Sequence, residues 1–349
     1  MGLAPVAMDG LRRTMAHLVG PGSPPDGVVS DALIELPGWP AFEEAARDPF
    51  SPTEVRILRC GEAPREGPSG QRRAGPGSPV AAQAADAASL ADGLTRGEIV
   101  LRYQPIVRLR DRQAIGAEAL ARWVRPAGSP PLSPDLFMPL VERTGLATAF
   151  ARVVARRAAD DLAAMRRAGG PAAGLNVSIN LSLEVMLRAD TASFLAALCR
   201  SLRLPPTCLR LELTETTPVR DLGALRSALL RLRAAGHAVV ADDMALDDDR
   251  EALLDLPFAG IKLDRHLING MPHSRRCRAA VERLVARARA RGMRVTAEGV
   301  SSPALWRAAA RAGVDNAQGH AVGRPLPASA LPAWISAWQG LPLTDLRTS

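Results

Sequence analysis

The sequence predicts an α/β protein built on a (β/α)8 barrel. From residue 97 onward, apolar runs of strand length alternate with amphipathic helical stretches, and eight such strands fit into about 240 residues. Several helical stretches also stop at a glycine just before the next strand, as a helix C-cap followed by a short connection requires. An open doubly wound sheet is the alternative reading, but no glycine-rich phosphate-binding turn follows the early strands.

Taken in order, residues 1–60 form an N-terminal extension with two structure-capable pieces, DALIEL and PTEVRILRC. Residues 61–89 are a Gly/Pro-rich linker and lead-in, with too little apolar surface in their first part to offset ordering entropy. Residues 80–96 have helix-forming composition and lead into a main domain over 90–338, followed by a tail over 339–349. Strands are expected at 99–107, 114–122, 174–182, 209–215, 237–243, 259–265, 293–300 and 316–322. Between them, TAFARVVARRAADDLAAMRRAG, SFLAALCRSL, DLGALRSALLRLRAAG, SRRCRAAVERLVARARARG and PALWRAAARAG read as helices.

Composition excludes several classes. The formal charge is +8, but the arginines are spread along helix faces, with no compact basic block interleaved with aromatics. A nucleic-acid polymer is therefore not an expected partner. Cys60, Cys199, Cys208 and Cys277 show neither CxxC pairing nor metal-type spacing with His, which fits reduced thiols. No apolar run approaches the ~18 residues of a membrane span, so a soluble, cytoplasmic protein with no membrane partner is expected.

The chemistry concentrates near strand ends. Glu118, Asn180, Glu212, Asp242, Asp243 and Glu298 each sit at or near the end of an apolar run, and Lys262 lies within AGIKLDR. In a parallel barrel those ends converge on one face. Burying so many like charges requires a cation or a paired base. Oxygen ligands with few His or Cys point to Mg²⁺ or Mn²⁺ rather than zinc.

The ordered motifs YQPIV, EAL with Arg122 and Trp123 behind it, INLS, LELTE, VVADD, IKLDR, AEGV and AQGH followed by GRPLP resemble the EAL domain family over roughly residues 90–338. The resemblance implies a modified TIM barrel whose first strand runs antiparallel to the others. It implies cyclic di-GMP as ligand, hydrolysed by active members to the linear dinucleotide with Mg²⁺ or Mn²⁺. By position, Glu118, Asn180, Glu212 and Asp242 resemble the ligands of a first metal, with Asp242 bridging to a second that Asp243 also holds. Lys262 resembles the lysine that orients the attacking water, Glu298 the glutamate beside it, and Gln318 the glutamine near that assembly. Gln104, Leu120 and Arg122 match ligand-contacting positions, the arginine being suited to a phosphodiester oxygen.

The pattern departs from the family in the segment after Asp243. The family has Phe-Gly-Thr-Gly there, in a mobile loop that Glu215 would anchor; this chain has Met244, Ala245, Leu246, Asp247, Asp248, Asp249 and Arg250. Both glycines are gone, and with them the easy access to positive φ. The three aspartates read either as an extra cation site or as a solvated acidic turn opening the next helix. Ser301 stands where the family has a carboxylate, and His320 replaces a tyrosine and reads as a packing residue. A phosphodiesterase of weak or conditional turnover, a non-catalytic cyclic di-GMP receptor and a protein-interaction module are the readings left open. The family often dimerises through surfaces coupled to that loop, so a homodimer is one expected partner. The N-terminal region is a candidate surface for a protein partner.

Overall fold

A computed structural model describes residues 87–125, 131–214, 219–246 and 249–340. The expectations for residues 1–86 and 341–349, and for Glu215, Asp247 and Asp248, lie outside them. Eight strands close a barrel in sequence order: β1 (Ile99–Arg108), β2 (Ala114–Trp123), β3 (Asn176–Ser182), β4 (Leu209–Thr214), β5 (Val239–Met244), β6 (Gly260–Leu263), β7 (Arg294–Ala297) and β8 (Asn316–Gln318). β1 runs antiparallel to both of its neighbours, β2 and β8, and all other pairs are parallel.

The helices are α1 (Ala87–Arg96), α2 (Pro134–Arg143), α3 (Ala147–Ala168), α4 (Leu183–Leu187), α5 (Thr191–Ser201), α6 (Leu222–Ala234), α7 (Arg265–Gly270), α8 (Arg275–Ala290), α9 (Pro303–Arg311) and α10 (Leu331–Gln339). α3 shows why they pack as they do. Its Ala151, Val154, Ala155, Ala158, Ala159 and Leu162 recur at helical spacing and are all buried, and small side chains let the helix approach the sheet closely. The Tyr103 hydroxyl of β1 donates to Asp161 Oδ2 on the same helix at 2.6 Å, satisfying a buried polar group. α3, α6, α8 and α9 each run within two residues into a glycine of positive φ, matching the expected stops.

Alternation sorts the strands into two faces. Val177, Ile179, Leu181, Leu209, Leu211, Leu213, Ile261, Leu263, Val295 and Ala297 form the apolar layer under the helices, all nearly fully buried. The alternate set, including Glu118, Ser178, Glu212, Asp242, Lys262, Thr296, Asn316 and Gln318, is also buried but polar. Barrels of this class usually fill that space with Val, Ile and Leu. Here much of the interior is polar instead.

Two expectations need correction. β7 and β8 end at Ala297 and Gln318, well short of residues 300 and 322, because the backbone turns at the mouth through Gly299 (φ 63°) and Gly319 (φ 151°). A Cβ on Gly319 would stand 2.3 Å from the Val300 amide nitrogen, a contact that only glycine permits. Glu298 therefore lies just past its strand. The segment Asp249–Asp255 forms a 3₁₀ helix, which is the helix that follows the acidic run. His320 is exposed in the turn after β8 and is not a packing residue. No described helix is long and apolar enough to cross a membrane.

Candidate functional site

Seven of the eight strands deliver the site. Glu118 pairs with Gln104 across β1 and β2 and with Ser178 on β3, while Asn180 pairs with Glu212 across β3 and β4. These registers put the side chains into one layer at the end of the barrel where the parallel strands finish. The same layer takes Asp242 from β5, Lys262 from β6 and Gln318 from β8, with Glu298 just beyond β7.

Lys262 occupies the centre. Its Nζ lies 3.1 Å from Glu118 Oε2, 3.0 Å from Glu212 Oε2, 3.1 Å from Asp242 Oδ2 and 2.5 Å from Glu298 Oε1. Around it, Asn180 Nδ2 donates to Glu118 Oε1 at 2.8 Å, and Gln318 Nε2 donates to Glu118 Oε2 at 2.6 Å. Gln318 Nε2 also reaches Gln104 Oε1 at 3.2 Å, and Gln104 Nε2 donates to the Gly323 carbonyl at 3.2 Å. The sequence-predicted residues Gln104, Glu118, Asn180, Glu212, Asp242, Lys262, Glu298 and Gln318 thus form one contiguous network.

The electrostatics follow from burial and repulsion. Burial would weaken the positive charge on Lys262, but the surrounding carboxylates outweigh it and hold the ammonium well above its ordinary value. Burial raises Glu118 too, yet Lys262 and the hydrogen bonds from Asn180 and Gln318 bring it below the usual range. Glu212 moves the other way, pushed well up by burial and by the charges of Glu118 and Asp242 against the pull of Lys262. Burial lifts Asp242 to about 6 and Glu298 to about 8.

Asp243 closes one edge. It is exposed and sits in the left-handed region at φ 55°, beside a register shift between Ala241 and Met244, and its amide donates to Asp242 Oδ1 at 2.9 Å. The strain is tolerable for aspartate, which enters this region more readily than most residues. Buried Met244 ends β5, its carbonyl accepting from the Asp264 amide at 3.0 Å.

The donors suit a hard divalent cation. Carboxylate oxygens of Glu118, Glu212 and Asp242 come within 4.8 Å of one another, and a second such group joins Asp242, Asp243 and Glu298. Asn180 Oδ1 is buried and has no hydrogen-bond partner in the structure, an acceptor that a cation would satisfy. Carboxylate and amide oxygens without His or Cys are the donor set of an oxygen-preferring cation.

The remaining predicted residues flank the layer. Leu120 and Arg122 follow Glu118 on the same face of β2, toward the mouth, and Arg122 Nη1 donates to the Ala121 carbonyl at 2.9 Å. Ser301 is exposed, and the neighbouring Ser302 caps α9. Sequence reading passed over Arg102, which shares the face of Gln104 and stands opposite Leu120. The two-residue alternation in LRYQPI carries that signal. It also passed over the floor of the site, a cavity of about 30 Å³ beneath Glu212 and Lys262 that Ser178, Arg210, Thr296 and Asn316 also line.

Comparison with known proteins agrees with this geometry. A sequence model of the EAL domain matches residues 87–325. The chain is 33% identical over 248 residues to the bifunctional diguanylate cyclase/cyclic di-GMP phosphodiesterase MucR of Pseudomonas aeruginosa, covering 71% of this chain and 36% of that one. It is 30% identical over 249 residues to the cyclic di-GMP phosphodiesterase RocR of the same organism, covering 70% and 62%. The chain spans about a third of the length of the first curated relatives it matches. Among solved structures, the PaMucR phosphodiesterase in complex with c-di-GMP superposes with a TM-score of 0.64 at 33% identity, covering 70% of this chain and 98% of that one. An EAL domain protein from Listeria monocytogenes, 23% identical, shares the fold with a TM-score of 0.63 over 73% of this chain and all of that one. With the antiparallel first strand, the inward-facing acidic layer and the family match over most of its length, this chain belongs to the EAL domain family.

Proposed function

We propose that the protein is a cyclic di-GMP phosphodiesterase that opens the cyclic dinucleotide to its linear form with Mg²⁺ or Mn²⁺. The observation that carries this reading is the convergence of Glu118, Glu212, Asp242 and Glu298 around Lys262 at one barrel end, with Asn180 on Glu118 and Asp243 grouped with Asp242 and Glu298. In this reading Glu118, Asn180, Glu212 and Asp242 hold one cation, and Asp242 and Asp243 hold another. Cations there would polarise a phosphodiester and ease deprotonation of a water.

The protein's own contribution is positioning. Asn180 and Gln318 each donate to one oxygen of Glu118, which orients this carboxylate within the site. Lys262 and Glu298 stand beside the cluster, where they would orient the attacking water. Arg122 and Leu120 would contact the nucleotide, with the guanidinium facing a phosphate oxygen. The protein would work in the cytoplasm, as a homodimer or with a protein partner engaging the N-terminal region.

Incubating full-length protein with cyclic di-GMP and Mn²⁺ should yield linear product, and Glu118→Ala should abolish it. Product that persists unchanged in Glu118→Ala would sink the assignment. The altered segment after Asp243 favours a second reading, a receptor that binds the dinucleotide without turnover. Calorimetry in Ca²⁺ would then show binding that Arg122→Ala weakens, with no product in Mn²⁺.

A further inference from the structure

Lys262 is the only lysine in the chain; the other 43 basic side chains are arginine. It is 2% exposed, and three of the four carboxylates around its Nζ belong to the residues close enough to share one cation. Burying carboxylates is costly unless a cation offsets their charge. The Lys262 ammonium supplies part of that offset, and among the described residues it is the one positive charge in contact with all four. Its chemistry matches the task, since a compact charge with three donors on a flexible stem can meet carboxylates converging on one atom and then withdraw. A planar guanidinium, with donors set in a rigid fork, can do neither as well.

We propose that Lys262 is the resident counter-ion of this site, and that a divalent cation binds by drawing Glu118, Glu212 and Asp242 away from it. The proposal rests on the reading that these carboxylates hold a divalent cation, but not on hydrolysis of any nucleotide. Lys262 holds the carboxylates together in the metal-free protein and weakens cation affinity, because its ion pairs must yield before the oxygens turn to the metal. Site assembly and metal loading are then two states of one cluster, exchanged as the ion pairs of Lys262 give way to metal contacts.

A single lysine makes the test direct. Full-length wild-type protein labelled with ¹⁵N-lysine gives one side-chain Nζ resonance, with no assignment needed. Titration with diamagnetic Mg²⁺ should move that resonance along the same isotherm that calorimetry records as heat. Heat with an unmoved resonance overturns the proposal and leaves the metal reading intact; neither heat nor movement overturns both. In a second arm, Lys262→Met should melt below wild type in EDTA, gain more from saturating Mn²⁺, and bind the cation about tenfold more tightly. Equal affinity in the two proteins overturns the proposal. A variant that folds only with Mn²⁺ present supports it, and the resonance arm decides alone if the variant does not fold at all.

Discussion

Gln318 Nε2 donates to Glu118 Oε2 at 2.6 Å, tying the last strand of the barrel to the second across the antiparallel first strand. Both side chains are buried. Gln318→Leu removes a donor from a buried carboxylate and should cost about 1.5–3 kcal/mol in urea unfolding. Gln318→Glu should cost more, because it sets a second carboxylate against Glu118. A leucine variant as stable as wild type would mean that the strands close without this link.

Asp243 separates a backbone requirement from a chemical one. Its φ of 55° is one that glycine adopts freely and a β-branched residue resists. Asp243→Gly should therefore leave stability within about 1 kcal/mol of wild type, whereas Asp243→Val should lose about 1–2 kcal/mol. Both should weaken Mn²⁺ binding, read by calorimetry, because both remove the carboxylate. Full retention of Mn²⁺ affinity in Asp243→Gly would take this residue out of the metal site.

His237, between α6 and β5, gives a pH dependence remote from the acidic layer. It is 2% exposed, its Nδ1 lies 3.0 Å from the Leu209 carbonyl, and burial lowers its pKa below 6.5. A buried neutral imidazole contributes stability that is fully present above about pH 6.5. It is lost as the pH falls below that value, since the unfolded chain takes up the proton first. Between pH 7.5 and 5.5 the loss from this residue should not exceed about 1.4 kcal/mol. Subtracting the urea profile of His237→Gln from that of wild type isolates it from Asp242 and Glu298, which titrate in the same region with raised values. A difference profile that is flat across this range would refute the assignment.

The segment after Asp243 should set the turnover rate. Replacing residues 244–250 with a family-like stretch carrying two glycines should raise the rate of linear product formation well above wild type, with Mn²⁺ affinity little changed. An unchanged rate would place the limit elsewhere, with Ser301 the next position to test.

Much of this was legible along the chain. The alternation in NVSINLS and LRLELTE already assigns Asn180 and Glu212 to one face and their apolar neighbours to the other, because strand side chains repeat every two residues. The glycines closing the helices likewise mark real stops. Strand ends were less legible. AEGV and AQGH look like continuing strands, and only the close approach of Gly319 to Val300 shows that the chain must turn there.

By itself, then, the sequence determined which polar residues would gather near the strand ends, since that follows from local period and residue type, although Glu298 falls just past its strand. Only the tertiary structure decided that Lys262 stands at the centre of Glu118, Glu212, Asp242 and Glu298. Glu118 and Lys262 are 144 residues apart. Barrel closure sets their separation in space, and no local pattern encodes the register of strands so distant along the chain.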